Sequence, residues 1–370
     1  MRLASLFAVA ALITASSASA QSQPDLTRTF GAKDLFGLQM ASNPQVRPDG
    51  SAIAYVRISN DIMTDSARSS IWLMNLSTGS QTPLETGDAG FMSPRWSPDG
   101  LRLAYISSGG SAPQLYVRWM DTGRSARVAT LEQAARDVVW SPDGKSLAFT
   151  MLVPEEGRFI GPGVARPEGA KWAEPLKVIE RVTYRADGEG FLKPGYRQLF
   201  IVSADGGQPR QLTSGKFNVT GPISFARDGR AIFYATNRAA TWERDPPETE
   251  IYAVNISDGA ITRLTTRVGP DGSAVPSPDG LQIAYIGYDG ARRRGYENQR
   301  LYIMDRDGRN SRVLTAGLDR SVGDPQWAVD GKSIYVGYDD QGAAKVARVG
   351  LDGKVEALFA GLGGGGFDRP

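Results

Sequence analysis

The chain repeats one pattern of polar and apolar positions along most of its length. A polar turn of the form Ser-Pro-Asp-Gly precedes an apolar run, as at residues 97–100 followed by 101–106 (Leu-Arg-Leu-Ala-Tyr-Ile). Proline fixes φ, serine and aspartate accept hydrogen bonds from nearby backbone N–H groups, and glycine takes the positive φ that returns the chain. The β-branched and aromatic residues of the run favour a strand. Each copy therefore predicts one β-turn followed by one β-strand.

Six copies of this turn recur at intervals typical of propeller blades. The intervals between successive turn glycines are 50, 44, 85, 51 and 51 residues. Four strands can be assigned to each repeat, and the second and third strands show little polar alternation, so both faces of each sheet must be covered. Stacking the sheets around an axis covers them and leaves only short exposed edges. We therefore predict an all-β protein, a β-propeller with six recognisable four-stranded blades (PD40/WD40-like repeats), which forms a six-bladed ring or the visible part of a seven- or eight-bladed one.

One interval is longer because an insertion, residues 154–194, interrupts the third repeat between its second and third predicted strands. Successive strands run in opposite directions, so the Ser-Pro-Asp-Gly turns share one face of the propeller. The insertion is expected on the opposite face, together with the connections between blades. Long ordered insertions carry function more often than ordinary turns do. The opposite face is therefore the predicted working surface.

The two ends of the chain depart from the repeat. Residues 1–20 combine a charged start, a short apolar run and the small residues Ala18-Ser19-Ala20, the pattern of a secretory signal peptide. An N-terminal membrane anchor is disfavoured, because the apolar run is too short to span a bilayer. We therefore expect cleavage after Ala20 and a periplasmic or secreted protein. The remaining boundaries are predicted as a lead-in segment at 21–42, the propeller at 43–360 and a Gly-rich tail or linker at 361–370.

Composition removes several classes of function. The 42 basic and 40 acidic residues give no field that would attract nucleic acid or an anionic membrane. The sequence contains no cysteine and no histidine, which excludes a disulfide framework, Cys/His catalysis and a Ser-His-Asp triad. It also lacks the Gly-x-Ser-x-Gly nucleophile elbow. We predict no cofactor and no metal site, and we expect the chain to be catalytically silent.

Two adjacent carboxylates in the insertion, Glu155 and Glu156, are the candidate binding residues. Carboxylates on a loop that faces a pocket can hold the ammonium of a peptide N-terminus by charge-assisted hydrogen bonds. A solvated acidic turn explains the same spacing. Arg181 and Arg185 are candidates for binding a carboxylate or a carbonyl group, or for pairing with Glu180 and Asp187. The sequence leaves both pairs of alternatives open.

Several segments match a known family in addition to the turns. They are residues 34–36 (Asp-Leu-Phe), 44–50 (Pro-Gln-Val-Arg-Pro-Asp-Gly), 184–191 (Tyr-Arg-Ala-Asp-Gly-Glu-Gly-Phe) and 206–213 (Gly-Gly-Gln-Pro-Arg-Gln-Leu-Thr). With these segments the chain resembles the N-terminal β-propeller of the prolyl oligopeptidase family of serine peptidases, on the acylaminoacyl-peptidase and dipeptidyl-peptidase side. The resemblance extends over nearly all of the chain after residue 20.

In that family the propeller covers a C-terminal α/β-hydrolase domain, filters substrates by size and in some members supplies acidic residues that hold the peptide N-terminus. The resemblance implies a substrate-gating or substrate-binding propeller of an exported serine peptidase, with a peptide and a hydrolase domain as partners. Because no hydrolase domain is recognisable in the sequence, we expect a truncated product or a fragment. The alternative is a stand-alone TolB-like periplasmic propeller that binds a protein or peptide, and a third interpretation is a gene product without a settled function.

Overall fold

The fold is described by a computed structural model for residues 29–110, 112–155, 167–173, 178–244, 248–290 and 297–359. These residues form six four-stranded antiparallel sheets that follow one another along the chain. The prediction of an all-β propeller with six four-stranded blades is therefore confirmed. A short 3₁₀ helix, Ala32–Gly37, precedes the first strand. Within the described segments, no helix is long and apolar enough to cross a membrane.

Strands are numbered β1 to β26 along the chain, and within each blade they run from the innermost strand outwards. Blade 1 comprises β1 (Gln39–Val46), β2 (Ala52–Asp61), β3 (Ser66–Asn75) and β4 (Gln81–Glu85). Blade 2 comprises β5 (Phe91–Trp96), β6 (Arg102–Ser107), β7 (Gln114–Trp119) and β8 (Ser125–Ala129). Blade 3 comprises β9 (Arg136–Trp140), β10 (Ser146–Pro154), β13 (Gly195–Ser203) and β14 (Arg210–Gln211). A separate two-stranded hairpin lies between β10 and β13 and consists of β11 (Arg185–Ala186) and β12 (Gly190–Phe191).

The last three blades have the same order of strands. Blade 4 comprises β15 (Val219–Phe225), β16 (Ala231–Thr236), β17 (Glu250–Asn255) and β18 (Ile261–Arg263). Blade 5 comprises β19 (Asp271–Pro276), β20 (Gln282–Gly287), β21 (Arg300–Asp305) and β22 (Arg312–Val313). Blade 6 comprises β23 (Val322–Trp327), β24 (Ser333–Asp340), β25 (Ala343–Gly350) and β26 (Val355–Phe359).

The observed boundaries refine those expected from the sequence. Strand β1 begins at Gln39, within the segment predicted as a lead-in, because residues 39–42 already pair with β2. Strand β10 ends at Pro154 and β13 begins at Gly195, so the insertion lies between the second and third strands of blade 3. Residues 1–28 and 360–370 lie outside the described residues. The signal peptide and the Gly-rich tail therefore stay predictions.

The six Asp-Gly turns share one geometry. In each, the glycine N–H donates to the carbonyl three residues earlier at 2.8 or 2.9 Å, and the glycine has φ between 68° and 73°. The aspartate accepts the backbone N–H two residues further on, as between Leu101 N and Asp99 at 3.0 Å. These bonds satisfy the polar atoms of a tight turn, which explains why the sequence recurs. The face that carries these turns is called the turn face, and the opposite one the insertion face.

The innermost strand of every blade contains a β-bulge, which the sequence pattern did not indicate. The register shifts by at least one residue there, and one residue at each bulge has φ between 50° and 68°. These residues are Asn43, Ser93, Asp137, Gly221, Ser273 and Asp324. Glycine, asparagine and aspartate are the residues that tolerate this left-handed conformation best. The bulges bend the innermost strands and increase their twist.

Hydrophobic clusters join successive blades. Among the described residues there are five, one at each junction from blades 1 and 2 through to blades 5 and 6. The second strand of each later blade contributes one side chain at an equivalent position that is 0% exposed: Leu103, Leu147, Ile232, Ile283 and Ile334. Side chains of this size contribute about 1.5–3 kcal/mol each when fully buried. The junctions between blades are therefore the core of the protein.

Candidate functional site

The insertion leaves the propeller on the face predicted from the sequence. Strand β10 starts at an Asp-Gly turn on the turn face and ends at Pro154, so Pro154 lies at the opposite face. The insertion is closed at its base, because Pro154 pairs with Gly195 and Glu155 N–H donates to the Pro194 carbonyl at 3.1 Å. Gly195 has φ of 144°, and a Cβ there would lie 2.3 Å from the Val153 carbonyl oxygen. Only glycine allows this close approach.

Arg181 and Glu155, two of the candidate binding residues, are brought together at this base. Arg181 Nη2 donates to Glu155 Oε2 at 2.8 Å and Nη1 donates to the Gly195 carbonyl at 2.7 Å. Its guanidinium lies 4.2 Å from the centre of the Tyr196 ring, and Tyr196 packs edge-on against Trp242 of blade 4. Three separate contacts therefore fix Arg181, and its positive charge compensates the Glu155 carboxylate.

Arg185, a third candidate residue, lies away from the base of the insertion. Arg185 lies in β11 of the insertion hairpin, opposite Phe191, and is exposed. Tyr184 packs near Phe191 with ring centres 6.1 Å apart. Glu156 lies outside the described residues. Arg181 pairs with Glu155 at the base of the insertion, and binding of a ligand by either residue stays a prediction.

The insertion hairpin is tied to the inner part of blade 3. Glu189 Oε1 accepts a hydrogen bond from Arg136 Nη2 at 2.9 Å, and Lys193 Nζ donates to Gln133 Oε1 at 3.2 Å. Arg136 lowers the pKa of Glu189, first through this hydrogen bond and then through its charge. Arg136 begins the innermost strand of blade 3. The insertion therefore reaches back towards the axis of the propeller.

A group of arginines lies beside this contact, and sequence analysis missed it. Arg95 belongs to the innermost strand of blade 2, and Arg197 to β13 of blade 3. Burial lowers the pKa of both Arg95 and Arg197, and the charge of Arg136 lowers the pKa of Arg197 further. The negative charge of Asp137 acts in the opposite direction on both arginines. Arg197 Nη1 is buried and has no hydrogen-bond partner within the described residues. We call Arg95, Arg136 and Arg197 the arginine cluster; it presents donors suited to carbonyl or carboxylate oxygens.

The turn face carries depressions of a different kind. Two open depressions, of about 470 and 400 Å³, lie on the turn face and are lined by the repeated turns of blade 6 and of blades 3 and 4. Both depressions are lined by turn residues that every blade repeats, so neither contains reactive groups specific to one blade. In the described segments, no group of three or more acidic residues is placed to hold a metal ion.

The fold defines this chain as a six-bladed β-propeller, and the comparisons with known proteins show which propellers it is similar to. Residues 190–364 match the PD40 family, described as the TolB beta propeller domain. The chain is 30% identical over 348 residues to the uncharacterized peptidase YuxL of Bacillus subtilis, covering 89% of this chain and 51% of the relative. It is 24% identical over 342 residues to dipeptidyl-peptidase 5 of Porphyromonas gingivalis, covering 88% and 49%.

Solved structures agree with this assignment of the fold. The acylaminoacyl peptidase of Pyrococcus horikoshii superposes with a TM-score of 0.68 at 19% identity, over 89% of this chain and 47% of that one. The resemblance to the propellers of these peptidases is thus confirmed. The chain spans about half the length of the curated relatives that it matches.

Proposed function

We propose that the chain is the substrate-binding and gating propeller of an exported serine peptidase that acts on peptides. The observation that carries the proposal is the extent of the match, because nearly nine tenths of the chain aligns with about half of each of two peptidases. Its partners are then a peptide and an α/β-hydrolase domain. Export, to the periplasm or out of the cell, is proposed from the signal-peptide pattern of residues 1–20.

The insertion face supplies groups for both ends of a short peptide segment. We assign the peptide ammonium to Glu155 together with Glu156, with Arg181 orienting Glu155 from its fixed position. The side chain of Glu155 is 39% exposed, so it remains open to a ligand. The donors of Arg185 and of the arginine cluster suit the carbonyl or carboxylate groups further along the peptide. This assignment places the ligand between the base of the insertion and the propeller axis.

The assignment is tested by peptide binding to the purified chain. Trp242 lies beside Tyr196 and hence beside Arg181, so tryptophan fluorescence reports on binding. Glu155→Gln should weaken binding of a free-amino peptide about tenfold, the equivalent of about 1.4 kcal/mol, because a charge-assisted hydrogen bond is lost. The N-acetylated form of the same peptide should bind wild type and variant equally.

Glu356→Gln is the matched control, because Glu356 also pairs with an arginine but lies in the outermost strand of blade 6. It should leave both affinities unchanged. An equal loss for free and acetylated peptides in Glu155→Gln would refute the ammonium site while leaving peptide binding intact.

A second candidate function is favoured by the match of residues 190–364 to the TolB beta propeller domain. In this alternative the chain is a stand-alone periplasmic propeller that binds a protein partner. Binding of a protein partner does not require a group that recognises the free N-terminus of a short peptide. Failure of both the free and the acetylated peptide to bind would therefore favour the TolB-like role over the peptidase role.

A further inference from the structure

Two members of the arginine cluster lie on one side of blade 3, near the insertion. Arg136 pairs with Thr150 in the ladder of β9 and β10. Arg197 pairs with Leu152, two residues further along β10. Residues two apart on a strand share a face, so both arginine side chains start from the same side of the sheet. Leu199, the next residue on this side of β13, packs in the hydrophobic cluster between blades 3 and 4. Both arginines therefore lie on the side of blade 3 that faces blade 4.

Arg95 approaches the same place from blade 2. Its Nη1 donates to Asn43 Oδ1 at 2.9 Å and to the Pro94 carbonyl at 2.7 Å, which leaves Nε and Nη2 without a partner among the described residues. Asn43 and Asp137 are the bulge residues of blades 1 and 3. Burial lowers the pKa of Arg95 and of Arg197, and the charge of Asp137 opposes this in both. The Arg95 guanidinium therefore lies beside the innermost strands, between the bulges of blades 1 and 3.

The arginine cluster carries more positive charge than its surroundings compensate. The carboxylates that act on its two buried members are Asp137 and Glu189, against three guanidinium groups. Glu189 pairs with Arg136, whereas Asp137 accepts a hydrogen bond from Thr150 Oγ1 at 2.7 Å and forms no ion pair within the described residues. Arg197 Nη1 is buried and lacks a hydrogen-bond partner in this part of the chain. One positive charge is left uncompensated, and burying it without a partner costs free energy.

A carboxylate is the ligand group that fits this arrangement. It carries one negative charge, which matches the one uncompensated positive charge, and it accepts two parallel hydrogen bonds from a guanidinium. A peptide carbonyl accepts hydrogen bonds but brings no charge, and a phosphate group brings nearly two negative charges. The unpaired N–H groups of Arg95 and Arg197 are the donors available to it.

We propose that Arg95 and Arg197 bind one carboxylate group of a peptide, and that the propeller therefore prefers peptides that carry this group over neutral ones. This preference rests on the peptide-binding function proposed above. Arg136 is already paired with Glu189, and its role is to hold the insertion hairpin beside the site. An acidic side chain and a C-terminus present the same group to the two arginines, so the peptides used in the test separate these two sources.

Three N-acetylated peptides test the preference by calorimetry on the purified chain. They are acetyl-Ala-Glu-Ala amide, acetyl-Ala-Gln-Ala amide and acetyl-Ala-Gln-Ala with a free C-terminus. Acetylation removes the ammonium group, so the measurement does not depend on Glu155. At least one of the two peptides with a carboxylate should bind about tenfold more tightly than the neutral amide, because charge-assisted hydrogen bonds are gained. The peptide that shows this gain identifies the source of the carboxylate.

Substitutions assign the preference to the two arginines. Arg197→Gln and Arg95→Gln should each bind the three peptides with equal affinity. Arg348→Gln is the matched control, because Arg348 pairs with Glu356 in blade 6, and it should keep the preference of wild type. Equal affinity of wild type for all three peptides, or a preference that survives in both variants, would overturn the proposal while leaving peptide binding intact.

A second measurement needs no peptide and uses acetate as the probe. Replacing about 100 mM chloride by acetate should raise the midpoint of thermal unfolding of wild type by about 1–2 °C more than that of Arg197→Gln. In chloride, Arg197→Gln should unfold at the wild-type temperature or above it, because a buried charge without a partner is removed.

The two measurements separate the carboxylate site from the proposed function. If no peptide binds but the acetate shift depends on Arg197, the peptide-binding function fails and the carboxylate site stands. An acetate shift of equal size in wild type and Arg197→Gln would overturn the carboxylate site. A clearly lower midpoint of Arg197→Gln in chloride would show a structural role for Arg197 and would overturn it as well.

Discussion

The aspartates of the Ser-x-Asp-Gly turns are held in their charged form. The pKa values of Asp99, Asp143 and Asp279 are lowered, first by the hydrogen bond from the turn serine and then by a backbone N–H group. The folded-state pKa thus lies below the unfolded value near 4. The resulting stabilisation is complete above that value and is lost as the pH falls through the folded-state pKa.

Removing the three serine hydroxyls should therefore reduce acid sensitivity. We expect the triple variant S97A/S141A/S277A to unfold at a lower temperature than wild type at pH 7. Between pH 5 and pH 2 its midpoint should fall less steeply, because its turn carboxylates begin with higher pKa values. Circular dichroism melting curves at pH 7, 5, 3 and 2 measure both effects. Parallel curves for the two proteins would contradict this account of the turns.

The bulge residues make a second prediction at the residue scale. Asp324 is exposed and has φ of 51°. Asp324→Val should lower the free energy of unfolding by about 1–2 kcal/mol, because a β-branched residue tolerates the left-handed region poorly. Asp324→Asn should stay within about 0.5 kcal/mol of wild type, because asparagine accepts this conformation. Urea unfolding compares the three proteins, and equal stability of the valine variant would exclude strain at the bulge.

At the scale of elements, the innermost strands are tied together by tryptophan and arginine side chains. Trp140 N–H donates to the Arg95 carbonyl of the preceding blade at 2.9 Å. The guanidinium of Arg102 lies 4.9 Å from the centre of the Trp140 ring and donates to the Gly144 carbonyl at 2.6 Å. One side chain of blade 3 is therefore linked to two strands of blade 2. Such links fix the angle between neighbouring sheets as well as their spacing.

Trp140→Phe should destabilise the protein by about 1–2 kcal/mol. Phenylalanine keeps most of the apolar contact but leaves the Arg95 carbonyl without its donor, and an unsatisfied buried group costs about that much. Trp172→Phe, in the insertion and 48% exposed, is the control and should change the free energy of unfolding by less than about 0.5 kcal/mol. Chemical denaturation followed by far-ultraviolet circular dichroism measures both.

Elements were predictable from the sequence where the information is local. The apolar run at 101–106 predicts a strand directly after the turn at 97–100, and β6 lies at Arg102–Ser107, because the turn residues and the apolar run are adjacent in the chain. Glu155 and Arg181 were both singled out, but their pairing was not, because 26 residues separate them. The contact of Arg136 with Glu189 spans 53 residues and has no local pattern at all. The bulges were missed because a strand pattern does not report one extra residue.

At the scale of the whole molecule, the two faces of the propeller differ in what they connect. On the turn face, arginines tie one turn to the next, as Arg47 Nε does to the Gly100 carbonyl at 3.1 Å. On the insertion face, blade 3 carries a long insertion that contacts the innermost strand of the same blade through Glu189, and Tyr196 at its base packs against Trp242 of blade 4. The repeated turns and the candidate site therefore lie at opposite ends of the strands.

The whole chain should hydrolyse no peptide on its own. It contains no histidine, and a Ser-His-Asp mechanism needs imidazole to accept and return the proton near neutral pH. Incubation with aminoacyl and peptidyl chromogenic substrates should give rates equal to those of the heat-denatured chain. Turnover that co-purifies with the folded protein through a final gel-filtration step would contradict this expectation.

The closed base of the insertion has a consequence for how such a protein can change. Pro154 and Gly195 face each other across one pair of strands, so everything between them enters and leaves the sheet at a single point. Lengthening, shortening or exchanging this segment alters no strand register and adds little loop-closure entropy. The insertion can therefore change in length and sequence while the strand register of the six sheets that support it stays the same.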